Sequence, residues 1–413
     1  MNDEIALKRL LGDAALRRVL DAIDRDGDET RIVGGAVRDA LTERTIKEID
    51  LATTATPEQV LARAEAAGIR AIPTGLAHGT ITLLVDGETF EATSLREDVD
   101  TDGRHAQVRF GRDFSADALR RDFTINALFL ARDGRIFDYV GGLQDLAAGR
   151  VRFIGDPARR IREDYLRILR FFRFSAEFSD GPLDAEGLRA AMRERAGLAR
   201  LSRERVRAEL LKLLVARRAP DAVQEMSEAG LLGPLIASAP NPARLRTLAK
   251  IADDAASDPL LRLAALCLDL PEDAERIGER LRLSNAERQR LARAASLLVN
   301  LHGVRRAPPD DELRRLLFLN GREAANDALL LTAIRAPDPA RWSQAQAYLR
   351  AAPEPRLPFS GDDLIARGVP AGRAIGEALE RLKQRWIGAG FPDDPGQLAH
   401  MLDEVASGRE MSA

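Results

Sequence analysis

The chain has 413 residues, 45% of them hydrophobic, and a formal net charge of −3 at pH 7. Its length suits two or more domains rather than one core. It holds no apolar run of about eighteen residues that would span a membrane, and its charge excludes a protein coated in positive charge while leaving room for local basic surfaces. A single cysteine, Cys267 in LAALCLDL, rules out an internal disulfide and reads as a small core residue. The start, MNDEIALKRL, shows neither a secretory nor an organelle-targeting pattern, so a cytoplasmic location is expected.

Along the chain, Arg31 to Val33 read as a strand running into Gly34-Gly35, and Val37 to Leu41 as the helix that follows. A second strand, Ile49 to Leu51, leads to Thr56-Pro57-Glu58-Gln59, where threonine caps a helix, proline takes its first turn and glutamine closes a capping box. Gly68 ends that helix. Two hairpins follow, Thr80 to Leu95 turning at Asp86-Gly87 and Asn126 to Tyr139 turning at Asp133-Gly134. From about Gly155 onward helical periodicity takes over. It is divided by Gly230, Pro234 to Pro242, Pro308-Pro309, Pro337 to Pro339 and Pro353 to Pro358. Between Arg150 and Arg173, eight arginines stand against three acids, which predicts a basic stripe.

Three clusters carry chemical potential. In Gly34-Gly35-Ala36-Val37-Arg38-Asp39, a glycine pair between strand and helix lets backbone N–H groups approach an anion, and Arg38 can pair with phosphate. A plain tight turn has the same appearance. Glu48 and Asp50 lie two apart on a predicted strand and so share a face. With Glu91 on a neighbouring strand they suit two Mg²⁺ ions, which would activate an RNA 3′-hydroxyl and neutralise a leaving pyrophosphate. A solvated strand face is the alternative.

The second cluster, Arg120-Arg121-Asp122-Phe123-Thr124-Ile125-Asn126, offers Asp122 and Asn126 to a ribose hydroxyl, or forms a salt-bridged loop. In the third, Glu163 to Arg170, one helix is expected to place Asp164 and Arg167 on a common face. Held side by side, a carboxylate acceptor and a guanidinium donor match the pairing edges of A and C and mismatch G and U. An intrahelical salt bridge would look the same in the sequence.

Taken together, GGAVRD with EID, LREDVDTDGRHAQVRF, RRDFTINAL, EDYLRILR and SRERVRAELLKLL resemble the class II tRNA nucleotidyltransferase and poly(A) polymerase family over roughly Arg31 to Leu214. The resemblance implies an α+β nucleotidyltransferase-type head with a five-stranded sheet in residues 1–148, followed by an all-α neck in 149–220 and an all-α body and tail in 221–413. The helical part would hold tRNA. The implied activity is template-independent addition of CCA to tRNA from CTP and ATP, with Mg²⁺ as cofactor and no obligate protein partner. Carried across, metal falls to Glu48 and Asp50, and Glu91, the candidate third carboxylate by its place on a neighbouring strand, completes the expected catalytic set. Triphosphate contacts fall to Gly34, Gly35 and Arg38, and sugar contacts to Arg121, Asp122 and Asn126. Asp164 and Arg167 would select the base, with Arg170 among the nucleotide-binding positions.

The stretch from Arg96 to His105, with Asp98, Gly103 and Arg104, resembles the flexible loop that switches CCA-adding members from C to A. One departure stands out: Glu48 occupies a position where the family usually has aspartate. The longer arm can refold and still bind a hard cation, so activity is expected.

A bacterial poly(A) polymerase is the alternative, but the carboxyl end, DEVASGREMSA, lacks the long basic tail that would favour it. A non-catalytic RNA-binding protein would require loss of metal through Glu48, against otherwise intact phosphate, ribose and base segments. G-x-G-x-x-G is absent, which sets aside a dinucleotide-binding oxidoreductase. Arg203, Arg205, Arg207, Lys212, Arg217 and Arg218 are candidate RNA phosphate contacts.

Overall fold

The computed structural model describes residues 2–75, 79–98, 108–251 and 258–407, in two compact units, Met1–Leu231 and Leu232–Ala413. In the first unit, α1 (Asn2–Leu11) and α2 (Ala14–Ile23) precede β1 (Thr30–Val33), α3 (Gly35–Leu41), β2 (Ile49–Thr53), α4 (Pro57–Ala66) and β3 (Arg70–Gly75). Then come β4 (Thr80–Val85), β5 (Glu88–Ser94), β6 (Arg96–Asp98), β7 (Val108–Phe110), α5 (Phe114–Arg120), β8 (Leu128–Leu130) and β9 (Ile136–Asp138). The rest of this unit is helical: α6 (Gly142–Ala147), α7 (Pro157–Glu163), α8 (Leu166–Phe178), α9 (Ala185–Arg193), α10 (Arg203–Leu214) and α11 (Ala219–Glu228).

Local chemistry sets these boundaries. The Thr56 hydroxyl accepts from Gln59 N while the Gln59 side chain accepts from Thr56 N, which is the expected capping box at the start of α4. Asp86 and Gly87 both take positive φ, 52° and 87°, as a two-residue turn between β4 and β5 requires.

The strands form one sheet in the order β3-β4-β5-β2-β1-β8-β9, with β6 and β7 paired separately. Where the family resemblance implies five strands the sheet has seven: β1, β2 and the two hairpins read from the sequence, with β3 added at one edge. Among the described strands only β2 and β5 run parallel, in the register Ile49↔Phe90, Asp50↔Glu91, Leu51↔Ala92. Strand alternation therefore sends Leu51, Phe90 and Ala92 into a core beneath α1 to α4 and leaves Asp50 and Glu91 on the opposite face. That second face is floored by Val33, Ala52, Phe114, Ala127 and Phe129. Truncating Phe90 or Phe129, both fully buried, to alanine would cost about 3–5 kcal/mol.

The second unit is helical: α12 (Leu232–Ile236), α13 (Pro242–Ile251), α14 (Pro259–Cys267), α15 (Pro271–Arg280) and α16 (Asn285–Asn300), then α17 (Asp310–Ala333), α18 (Ser343–Ala351), α19 (Gly361–Ile365), α20 (Arg373–Gly388) and α21 (Pro395–Ala406). The breaks at Pro308-Pro309, Pro337 to Pro339 and Pro353 to Pro358 fall between α-helices as read from the sequence, whereas the stretch from Pro234 to Pro242 starts inside α12 and ends on the first residue of α13. Gly321 (φ 75°, ψ 165°) interrupts α17 as well. Trp342 anchors one apolar core and Trp386 another. Cys267 is buried, and burial pushes its thiol far up, in keeping with a core residue. No described helix is long and apolar enough to cross a membrane.

Candidate active site

The site starts at the end of β1. Gly34 turns the chain into α3 with φ 73° and ψ −119°, a conformation that side chains strongly disfavour. A Cβ there would also sit 3.3 Å from Arg121 Nη1 and 3.4 Å from Asn126 O. The glycine is thus required twice over, by its backbone and by its neighbours.

One strand away stands Asp50, half-buried, with Glu91 beside it across the parallel pair. Glu48 lies one residue ahead of β2 rather than within it, and is exposed. Burial pushes the Asp50 carboxyl up, the Glu91 and Glu48 charges push it further, and Arg121 opposes them. Like charges gathered this way call for a cation. No three His, Cys, Asp or Glu among the described residues converge closely enough to hold one by themselves. Mg²⁺ is commonly bound by one or two carboxylates plus substrate phosphates, so the Asp50–Glu91 pair, with Glu48 near, fits such an ion when a triphosphate completes its shell.

Arg121 is drawn to the same place. It pairs with Asp117 at 3.0 Å and lies over the Phe129 ring. The next residues face inward and are fixed to the helical part of the unit. Phe123 packs against Phe153 (4.8 Å between centroids) and Phe174 (5.4 Å). Thr124 donates to the fully buried Asp145 at 2.7 Å.

On that footing Asp122 Oδ1 accepts from Phe123 N at 2.8 Å and from Asn126 Nδ2 at 3.0 Å, while Oδ2 accepts from Arg170 Nε at 2.7 Å. Burial alone would raise the Asp122 carboxyl, but the Arg170 charge and these hydrogen bonds outweigh it and hold it below the usual range. Asn126 Oδ1 in turn accepts from Arg38 Nη1 at 2.5 Å. Arg38 also binds Asp39 at 2.8 Å and stacks 4.2 Å above Phe178. Burial lowers its pKa from the usual arginine value. The phosphate-loop arginine and the sugar-facing pair thus form one connected group.

The third cluster departs from the helical expectation. Asp164 and Arg167 do not share one helix: α7 ends at Glu163, and Asp164, with φ −155°, caps it in an extended conformation. The ring of Tyr165, the next residue, lies over Gly197, where an added Cβ would lie 1.9 Å from ring carbons. Nor do Asp164 and Arg167 pair with each other. Asp164 Oδ1 accepts from Leu166 N at 3.0 Å and Oδ2 from Arg205 Nη2 at 2.6 Å. Arg167 donates to Glu163 Oε2 at 2.7 Å and to the carbonyls of Arg160 and Arg120.

The basic stripe is corrected as well, because each of its eight arginines meets a carboxylate. Arg150 and Arg152 pair with Asp145, and Arg159, Arg160 and Arg167 with Glu163. Arg162 pairs with Glu194, Arg170 with Asp122 and Arg173 with Glu209. Of the candidate phosphate contacts, Arg205 is engaged with Asp164 and Arg217 with Asp180. The sequence reading missed Arg205, Glu209 and Arg173 as members of the site. Spacing gives no signal for them, since Arg205 meets Asp164 and Arg173 meets Glu209 from far along the chain. Arg96 and Asp98 lie on β6, while Gly103 and Arg104 fall outside the described residues.

Comparison with known proteins places these features in a family. The family described as "Poly A polymerase head domain" matches residues 30–152, and one described as "Probable RNA and SrmB- binding site of polymerase A" matches residues 185–241. The chain is 37% identical to the CCA tRNA nucleotidyltransferase 1, mitochondrial, of Danio rerio, over 91% of this chain and 87% of that protein. It is 35% identical to the protein of the same name from Homo sapiens, over 94% and 90%. A crystal structure of the Bacillus stearothermophilus CCA-adding enzyme in complex with CTP superposes with a TM-score of 0.74 at 26% identity, covering 97% of this chain and 98% of that one.

Proposed function

The chain belongs to the CCA-adding tRNA nucleotidyltransferase family, and from that premise we propose that it adds C, C and A to the 3′ end of tRNA without a nucleic-acid template. CTP and ATP are the substrates and pyrophosphate is released. The observation that supports this most is the parallel register that seats Asp50 beside Glu91, next to the Gly34 turn and Arg121.

Asp50 and Glu48 hold divalent metal, Mg²⁺ on this reading, with Glu91 alongside. When bound, the metal supplies activation of the 3′-hydroxyl and neutralisation of the leaving pyrophosphate. The turn at Gly34-Gly35 receives the triphosphate on backbone N–H groups, and Arg121 contributes positive charge over the same space. Arg38, held by Asp39 and Asn126, keeps that turn in place. Asp122 and Asn126 meet the sugar, with polar groups that a deoxyribose would leave unmatched.

Asp164, steadied by Arg205, and Arg167, steadied by Glu163, read the base. Their separate anchors orient acceptor and donor independently instead of spending them on one another. On this reading residues 1–148 are the catalytic head, 149–220 the neck, and 221–413 the body and tail that hold tRNA.

Extension of a tRNA lacking its 3′ CCA, with Mg²⁺ and CTP plus ATP, tests the proposal at single-nucleotide resolution. Addition of C, C and A followed by a stop is expected. Long A tracts on unrelated RNA would instead mark a poly(A) polymerase, and no incorporation would indicate a binding protein.

A further inference from the structure

Behind the sugar-facing pair runs a relay of charges that ends on α10. Arg170 gives both Nε and Nη2 to Asp122 Oδ2, each at 2.7 Å, and turns Nη1 toward Glu209 Oε1 at 3.7 Å. Glu209, on α10, is 6% exposed. Its other oxygen accepts from Arg173 Nε at 2.6 Å. Arg170 is held charged by Asp122 first and Glu209 second, against the opposing effect of burial.

Two physical arguments give Glu209 a purpose beyond joining helices. The first concerns stability. The neighbouring positions of α10 that face inward, Val206, Leu210 and Leu213, are apolar. A buried ion pair seldom stabilises more than a well-packed apolar side chain would, so packing alone does not account for a carboxylate here. The second concerns crowding. Arg38, Arg170 and Arg173 all lie over the one ring of Phe174, at 5.1, 5.0 and 4.1 Å. Mutually repelling cations hold such an arrangement when each has a counter-charge, and here these are Asp39 for Arg38, Asp122 for Arg170, and Glu209 with Glu177 for Arg173. Without Glu209, Arg173 keeps only its longer contact with Glu177, at 3.3 Å, and Arg170 loses the carboxylate on its Nη1 side.

We propose that Glu209 is a positioning residue for sugar selection: it fixes the Arg170 guanidinium, which fixes Asp122 and through it Asn126 against the ribose hydroxyl. This rests on the assignment of Asp122 and Asn126 to the sugar.

The test compares addition of A from ATP and from 2′-deoxy-ATP to a tRNA ending in CC, as the ratio of the two kcat/KM values. Glu209→Gln keeps the shape and an acceptor for Arg173 but removes the charge. The ratio is expected to fall about tenfold, the scale of one misaligned hydrogen bond. In an Asp122→Asn background the same change should lower it no further. Equal losses for both nucleotides, with only the melting temperature lowered, would reduce Glu209 to helix-joining and overturn the inference. Should Glu209→Gln not fold, Glu209→Asp withdraws the charge by one methylene: a lowered ratio supports the proposal and an unchanged ratio overturns it. A wild-type protein indifferent to the 2′-hydroxyl would remove the ribose assignment itself. Preference lost in Asp122→Asn but kept in Glu209→Gln would remove only the role of Glu209.

Discussion

Buried charge is used differently in the two units. In Leu232–Ala413 it fastens helices: Asp273 accepts from the backbone N–H groups of Asp269 and Leu270 to start α15, and Arg290 on α16 grips Asp327 on α17 at 2.6 Å and Asp258 at 2.6 Å. In Met1–Leu231 it converges. Arg38, Asp122, Arg173 and Glu209 are all buried and belong to one chain of contacts that begins at the Gly34 turn. A charge that fastens can be replaced by good packing, whereas a charge that orients another polar group cannot. Substitutions in the second unit should therefore register as stability, and those in the first as rate or choice of substrate.

The sharpest test of this contrast is Asp50→Asn. It should slow nucleotide addition on the order of a thousandfold by removing charge stabilisation at the reacting groups, while tRNA affinity in a filter-binding assay stays close to wild type. Arg290→Ala is its counterpart. Removing one partner leaves the buried Asp327 carboxylate uncompensated, so chemical denaturation should show a loss of about 3 kcal/mol, without a change in which nucleotide is added. A change in nucleotide choice there would break the comparison.

Gly34→Ala falls between the two classes. Strain at φ 73° and the crowding of Arg121 should cost about 1–3 kcal/mol of stability and raise KM for both CTP and ATP, measurable by urea unfolding and by initial rates. The smallest effect is expected from Arg205→Ala. Arg205 is half-exposed, so little stability is at stake. Asp164 would lose its anchor, and misincorporation of G or U, read by sequencing of extended products, should rise by about fivefold to tenfold.

What the sequence discloses about this molecule is what short-range chemistry decides. The Thr56 to Gln59 capping box, the Asp86-Gly87 turn and the glycine joint at Gly34 each depend on residues within a few positions, and each forms as read. The break at Asp164 is different in kind. Every residue from Glu163 to Arg170 tolerates a helix, and the contacts made at the interruption, Asp164 with Arg205 and Tyr165 with Gly197, reach far along the chain. The arginine-rich stretch teaches the same lesson about charge. Its composition is plain, but Asp122, Asp145, Glu194 and Glu209, which accept those guanidinium groups, come from elsewhere in the unit. Glu48 stands just outside β2 because the ladder with β5 begins at Ile49.

The parallel pairing of β2 with β5 bears on quality control. Because successive side chains alternate faces, a slip of one residue would carry Glu91 to the far side of the sheet and bring an apolar neighbour beside Asp50. On the proposed assignment of Asp50 and Glu91, catalytic competence would therefore depend on strand alignment. An enzyme that extends RNA without a template has no complementary strand to expose its mistakes, and a misfolded head that still polymerised would leave faulty ends on its products. With Asp50 and Glu91 as the proposed reactive pair, building it from two strands distant in sequence would leave such a molecule inert.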